Sequence, residues 1–323
     1  MKVIVFRNKN GDLGFFQKKK SRVFYLINCA SNFDYIDGTG DWSTWNLNNL
    51  IKEQDGGQVD NENITAETIS YFLKYRPVVN RDIADLHEAK YPGAYYPRVR
   101  REEVEFNYIS PSFLQDMRAY QNIQSSLDDL FNFIEPVKLN LSTYGHKIRE
   151  LIILACTEVE YLLLKVLTEN GYEEKGRYNT HDYICCRDVL KLNQYEVSLV
   201  QYSNLGVFTP FKDWVKDSPT GSIAWYAAYN QVKHNRSDNI VNANLEHLLD
   251  AVSAIHILLE AQYGSRIFDN FLRSKDSSLF KTIKRPIWNL NEVAAPILEI
   301  EESLIVKPKW LEARKYFKDH PFK

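Results

Sequence analysis

"HKIRELIILACTEVEYLLLKVLTENG", residues 146–171, is the stretch on which the fold reading turns. Leu151, Ile152, Ala155, Val159, Leu162, Leu163 and Val166 recur at helical spacing and form one broad apolar face. Leu154 and Leu164 extend that face almost all round, which predicts a central helix over about 146–169. Gly171 is the residue type that commonly ends a helix.

The same periodicity continues on both sides. Upstream, "SPSFLQDMRAYQNIQSSLDDLFNFIEP" (110–136) places Phe113, Met117, Ile123, Leu127, Leu130, Phe131 and Ile134 near helical spacing ahead of Pro136. Downstream, helices are expected over about 182–193, 222–235 and 243–263. Between them "LGVFTPFKDWVKDSPTGS" (205–222) reads as a loop laid over the helices by Phe208, Phe211 and Trp214. These helices are long enough to share one core.

The flanks read differently. In residues 1–110, "KVIVFR" and "LGFFQ" flank "NKNGD", a hairpin signal in which Asn-Gly supplies positive φ. "SRVFYLINCA" (21–30) reads as a further strand, and the Gly- and Asp-rich stretch 35–63 as loop. "ITAETISYFLKYRP" is a short helix stopped by Pro77, and "YPGAYYPRVRREEVEF" (91–106) is irregular and then extended. At the other end, "APILEIEESLIV" reads as a strand and "PKWLEARKYF" as a last short helix. The expected fold class is therefore mostly α. A helical bundle occupies 111–264, an N-terminal α+β segment 1–110, and an appendage 265–323.

Composition narrows the function. Among 323 residues, 40 Lys and Arg face 42 Asp and Glu, a formal charge of −2, so no global basic field points to nucleic acid. The N-terminal apolar run is too short for a signal peptide, and no run approaches the ~20 apolar residues of a membrane span. Of the four cysteines, Cys156 lies in an apolar helix, and Cys185 and Cys186 are adjacent, which is not zinc-ligand spacing; Cys29 is alone. A reducing cytoplasm is the expected location. No HExxH, CxxC or GxSxG occurs, and the glycines of "DGTGD" and "DGGQ" do not open a clear helix after a clear strand. Neither a metal nor a cofactor is expected.

The chemistry-bearing stretch is "AWYAAYNQVKHNR", 224–236. At about 100° per residue, Ile223, Ala227, Asn230 and His234 share one side, while Trp225, Tyr229 and Val232 share the other. Lys233 and Tyr226 fall between. The aromatic side should bury, and the Asn230/His234 stripe should face a crevice, another subunit or solvent. An RNA phosphodiester can be cleaved by its own 2′-hydroxyl, given a base, a donor to the leaving oxygen and cations on the phosphorane. His234, Lys233 and Arg236 are those residue types, with Asn230 as the orienter of the imidazole. The ordinary alternative is a helix end whose cations simply complement the dipole.

Together, "HKIRELIILACTEVEYLL" and "AWYAAYNQVKHNR…NANLEHLLDAVSAI" resemble the HEPN-like superfamily of helical bundles from prokaryotic defence and toxin systems. In that superfamily an early helix carries Arg and Glu, and a later one carries R-x(4–6)-H, often with Asn after the Arg. "YNQVKH" matches the Asn-x-x-x-His part through Asn230 and His234, with Tyr229 at the position the motif gives to Arg. The resemblance covers about 113–264. It implies a metal-independent endoribonuclease of bacterial defence or growth arrest that works as a homodimer, with two motif helices sharing a cleft and an antitoxin or sensor protein as partner. The competing expectation is a non-catalytic HEPN-like module that binds RNA or a protein; a third is an intracellular structural protein with no site.

On the central helix, Arg149 and Glu160 project on similar sides near Cys156, and Glu158 lies toward Lys165. A carboxylate beside His234 would raise its pKa and orient it, so Arg149, Glu160 and Glu158 are the supporting candidates. His247 and His256 read as core or surface residues, and His181 as a residue at a helix start. The basic runs "KKKSR" (18–22) and "KPKWLEARKYFKDHPFK" (307–323) read as solvated faces, with RNA backbone binding as the alternative.

Overall fold

A computed structural model of the chain describes residues 2–28, 35–48, 51–52, 58–59, 63–101, 111–268, 277–301 and 304–321. Cys29, the "DGG" at 55–57 and the extended stretch expected at 102–106 lie outside the described residues. The chain divides into two compact units. One is Met1–Tyr95 with Arg101–Glu105 and Trp288–Arg314; the other is Tyr96–Arg100 with Phe106–Ile287 and Lys315–Lys323. The stretch 265–323 is thus shared between both units.

In chain order the first unit opens with β1 (Lys2–Asn8), β2 (Leu13–Lys19), β3 (Arg22–Asn28) and β4 (Tyr35–Asp41). Next come α1 (Trp42–Asn48), the two-residue strands β5 (Ile51–Lys52) and β6 (Gln58–Val59), α2 (Ala66–Leu73), β7 (Ile83–Glu88) and β8 (Ala94–Tyr95). The second unit follows with α3 (Pro111–Phe131), α4 (His146–Glu169), α5 (Thr180–Tyr183), α6 (Cys185–Val189), β9 (Glu196–Leu199), α7 (Ala224–His234), α8 (Arg236–Asn239), α9 (Leu245–Tyr263) and β10 (Phe280–Lys284). Then β11 (Ile297–Ile300), β12 (Val306–Lys309) and β13 (Glu312–Ala313) rejoin the first unit, and α10 (Tyr316–Asp319) belongs to the second.

The expected hairpin forms β1 and β2, with Gly11 at φ +89° in its turn. Five strands pair antiparallel in the order β4-β3-β2-β1-β7. The alternation of β1 explains its unbroken apolar run. Ile4 and Phe6 pack with Phe16, Tyr25, Ile69 and Phe72 on one face, while Val3 and Val5 pack with Phe15, Leu26, Trp288, Leu290 and Leu298 on the other. A sheet buried on both faces needs apolar residues at every position.

This sheet overturns the mostly α expectation. The chain is 43% helix and 21% strand, with a five-stranded antiparallel sheet at its start and several smaller sheets. The misreading has a local cause. "YIDGTGD", taken for loop on its Gly and Asp content, is β4, which pairs with β3 from Arg22↔Asp41 to Asn28↔Tyr35. Its glycines are packing features: a Cβ at Gly38 would collide with the Tyr25 ring, and one at Gly40 with Phe72.

In the second unit four of the helices read from periodicity are present, α4 with the bounds expected for it, while the one expected over about 182–193 is two short helices, α5 and α6, that end at Val189. The most enclosed helix, however, is α9. Fifteen of its 19 residues are buried, against ten of 24 in α4, where Leu154 is 48% exposed. Ala251, Ala254 and Ala261 are buried along α9 and let neighbouring elements approach closely. Polar residues are buried there too, and their partners come from distant segments: Gln262 donates to the Leu162 carbonyl, and Glu260 binds Arg285. The loop 205–222 crosses this core on Phe208, Phe211 and Trp214, all buried.

Candidate functional site

The α7 helix is held by its aromatic side. Trp225, Tyr229 and Val232 are buried, and the Trp225 indole donates to the Pro210 carbonyl at 2.9 Å. Phe211, Trp225, Tyr226 and Tyr229 follow one another edge to face, with centroids 5.5–6.0 Å apart. Tyr226 turns inward as well, and its hydroxyl donates to Glu160 Oε1 on α4. The helix stops at His234 because Asn235, at φ −137° and ψ 82°, leaves the helical region.

The last turn therefore presents Lys233, His234 and, just beyond it, Arg236 to solvent. The helix dipole favours cations at this end. Lys233 Nζ donates to the Tyr229 hydroxyl at 2.8 Å and lies 4.9 Å from the centre of that ring. The hydrogen bond to Tyr229 raises the pKa of Lys233, so this ammonium stays charged. Arg149 reaches the same turn from α4, its Nε donating to the Val232 carbonyl at 3.0 Å. Its two terminal nitrogens have no partner among the described residues.

Of the seven residues singled out in the sequence, six meet around α7: Asn230, Lys233, His234, Arg236, Arg149 and Glu160. The roles differ in part from expectation. The Asn230 amide donates to the Tyr226 carbonyl at 3.1 Å, an intrahelical bond, and does not hold the imidazole. Among the described residues His234 has no hydrogen-bond partner. Glu160 positions Tyr226 and not His234. Glu158 lies elsewhere, in the fields of Asp116 and Arg98. Burial first, and then Asp116, push its carboxyl up to about 7, and its Oε1 is buried without a partner. Cys156 is buried, and its thiol is pushed well above the ordinary range by burial and then by Glu160, which leaves it inert.

A second polar cluster was not apparent from the sequence. His256, read as an ordinary core or surface residue, is buried on α9. Its ring nitrogens meet Ser278 Oγ at 2.8 Å and Thr282 Oγ1 at 3.0 Å. His256 and Glu260 are spaced i, i+4, which was readable, but their partners arrive more than 20 residues later without a motif. His247, by contrast, bonds the Asn242 carbonyl through Nδ1 and lies in the first turn of α9. The "KKKSR" run forms the β2–β3 turn, where Lys18 covers the Trp42 ring at 4.6 Å.

Among the described residues, no group of three or more His, Cys, Asp or Glu side chains is placed to hold a metal ion. No helix among them is long and apolar enough to cross a membrane. No family model matches the chain, and no curated protein or solved structure matches it either.

Proposed function

We propose that the end of α7 is the working surface of an RNA-directed protein, and that the chain cleaves RNA without a metal in bacterial defence or growth arrest. His234 takes the proton of the 2′-hydroxyl. The 2′ oxygen then bonds phosphorus, the P–O5′ bond breaks, and a second imidazole protonates the leaving oxygen. That second imidazole is His234 of another copy, so this reading requires a homodimer. Arg149, Lys233 and Arg236 bind the phosphate oxygens as charge develops. The products are a 2′,3′-cyclic phosphate and a 5′-hydroxyl.

One observation carries the reading. The guanidinium of Arg149 is anchored on the Val232 carbonyl with two nitrogens left over, beside a helix end that exposes Lys233 and His234. Anchored donors next to an unpartnered imidazole suit phosphate chemistry better than they suit packing. A second reading, an RNA-binding module that does not cleave, is favoured by the Asn230 amide, which is turned to Tyr226 and leaves the imidazole unoriented.

The test is to incubate the purified chain with total RNA in EDTA beside His234→Ala. Cleavage that disappears in the variant and leaves cyclic phosphate ends supports the nuclease. Binding without cleavage in both supports the module, and no binding in either sinks both readings.

A further inference from the structure

We propose that Ser278 is the nucleophile of a second site, an acyl-transfer centre that takes small esters into a cavity of about 520 Å³ in the second unit. The argument begins at Glu260, a buried carboxylate that accepts from Arg285 Nε at 2.7 Å, from Arg285 Nη2 at 3.1 Å and from Thr282 Oγ1 at 2.6 Å. An ionised carboxylate only accepts, so the one hydroxyl hydrogen of Thr282 is committed to it. The Thr282 oxygen is then the acceptor for His256 Nε2 at 3.0 Å, and Nε2 carries the ring hydrogen. A neutral imidazole has one N–H, so Nδ1 bears the lone pair and the Ser278 hydroxyl donates to it at 2.8 Å. Every hydrogen in the chain Ser278–His256–Thr282–Glu260 thus has one sense. This is the nucleophile, base and orienter logic, with a hydroxyl inserted before the carboxylate.

Four observations set this network apart from a merely satisfied core. Ser278 lines the cavity, together with the apolar Phe131, Leu199 and Tyr202 and the cation Arg118. The volume falls in the range of small-molecule sites. The backbone on both sides of Ser278 is clamped: Gln124 Nε2 donates to the Ser277 carbonyl at 2.8 Å, and Leu279 N–H donates to Gln124 Oε1 at 3.1 Å. The base is equally fixed, because the His256 ring stacks on Phe268 at 4.3 Å. Two further donors aim at Ser278 Oγ, the Tyr120 hydroxyl at 2.7 Å and the Phe280 amide at 3.1 Å, and they fix its orientation so that its own hydrogen points to His256.

In the reaction Oγ bonds the carbonyl carbon of the ester, the C=O π pair moves onto the carbonyl oxygen, and the Oγ proton passes to His256 Nδ1; the C=O bond re-forms as the leaving group departs. The longer of the two donor bonds, from Phe280, gives way to free the attacking lone pair. The bond from the acyl carbon to the alcohol oxygen then breaks, and the alcohol leaves with the proton from Nδ1. Water attacks the acyl-serine, gives a proton to Nδ1 and releases the carboxylic acid as Oγ regains its hydrogen. The groups facing His256 are Glu260 on its own helix, Ser278, Thr282 and Arg285 from the segment around β10, and Phe268. Tyr120 of α3 touches it through Ser278. Burial first, and then Arg285, push His256 down to about 3, so the imidazole is neutral throughout pH 5–8.

The experiment treats the full chain with an alkyl fluorophosphonate and maps the adduct by mass spectrometry, with p-nitrophenyl butyrate hydrolysis followed from pH 5 to 8. The expected result is one adduct per chain on Ser278 and a hydrolysis rate flat with pH. His234→Ala should label as the unaltered chain does. Thr282 is a positioning residue: Thr282→Val should slow labelling roughly 100-fold, the scale of general-base loss, and Thr282→Ser should restore it. Val200→Trp, at an exposed position of the cavity wall, should slow labelling without touching the network. Should Ser278→Ala fail to fold, adduct mapping on the unaltered chain decides. No adduct, an adduct on another residue, or labelling indifferent to Thr282→Val overturns the proposal.

Discussion

Replacing Arg149 by Gln tests whether the α7 end binds a phosphate backbone, because the salt dependence of RNA binding counts cations. Three side chains at this end carry full charge, Arg149, Lys233 and Arg236. Each phosphate contact to a single strand contributes about −0.7 to the slope of log K against log salt, so three contacts give about −2. Between 50 and 200 mM salt, a four-fold change, that slope lowers affinity roughly 18-fold. Arg149→Gln removes one contact, and the slope should fall to about −1.4, a loss of roughly 7-fold over the same range. Gln has about the same reach and keeps an N–H for the Val232 carbonyl, so α4 and α7 should remain in place. Lys233 does not confuse the count, since its hydrogen bond to Tyr229 keeps it protonated. The assay is fluorescence anisotropy of a labelled single-stranded RNA in EDTA across that salt range, with a thermal melt confirming the fold. An unchanged slope in the variant would remove Arg149 from the surface, and a slope near zero in the parent chain would refute the phosphate reading altogether.

Other expectations concern the framework. Burial, and then Glu246, push Asp250 up to about 7, so its carboxyl costs the fold nothing below about pH 4, opposes it increasingly between about pH 4 and 7, and carries the full cost above 7. Asp250→Asn should change little at pH 4 and stabilise by ~2 kcal/mol at pH 8, half the full ~4 kcal/mol because the residue is not sealed from solvent; equal urea midpoint shifts at the two pH values would sink this. Arg98→Met strands Asp116, whose carboxylate Arg98 holds at 2.7 Å in the core, and should cost ~3–5 kcal/mol, partly recovered by adding Asp116→Asn. Tyr226→Phe and Glu160→Gln should each cost ~1–2 kcal/mol, and the double variant less than their sum, because both break one hydrogen bond. Strict additivity in denaturation would show that the pair is not coupled.

The features read correctly from the sequence share a cause: their physics is local. Asn10–Gly11 sets the first hairpin because a tight turn needs a residue that accepts positive φ, and Gly11 adopts it. The helices of 111–264 were legible because a face buried at 3.6-residue spacing repeats within a single segment. What was missed depends on distant partners. The Gly38 and Gly40 positions look like loop until Tyr25 and Phe72 are brought against them. The second face of the sheet is covered by Trp288, Leu290 and Leu298, nearly 300 residues after β1. The centre of the helical unit moved from α4 to α9 because exposure of Leu154 depends on which neighbours arrive, and no periodicity states that. The same limit hid Ser278 and Thr282, which gain meaning only beside His256.

It also bears on the apparent defect of the α7 motif. Tyr229 stands where a nuclease helix of the resembling kind carries arginine, and the fold explains why this chain does not. The position is 1% exposed, its ring centroid lies 5.5 Å from that of Tyr226, and its hydroxyl accepts from Lys233. An arginine here would bury a guanidinium whose nearby carboxylate, Glu160, already binds Tyr226, and an unpaired buried charge costs several kcal/mol. On the proposed nuclease reading, a cation for phosphate therefore has to come from another element, and Arg149 lies in the first turn of α4, 85 positions before His234 in the sequence. No linear spacing rule reaches that far. The residue that weakens the motif on paper is the one whose burial fixes α7 against α4, and that packing brings Arg149 to the helix end.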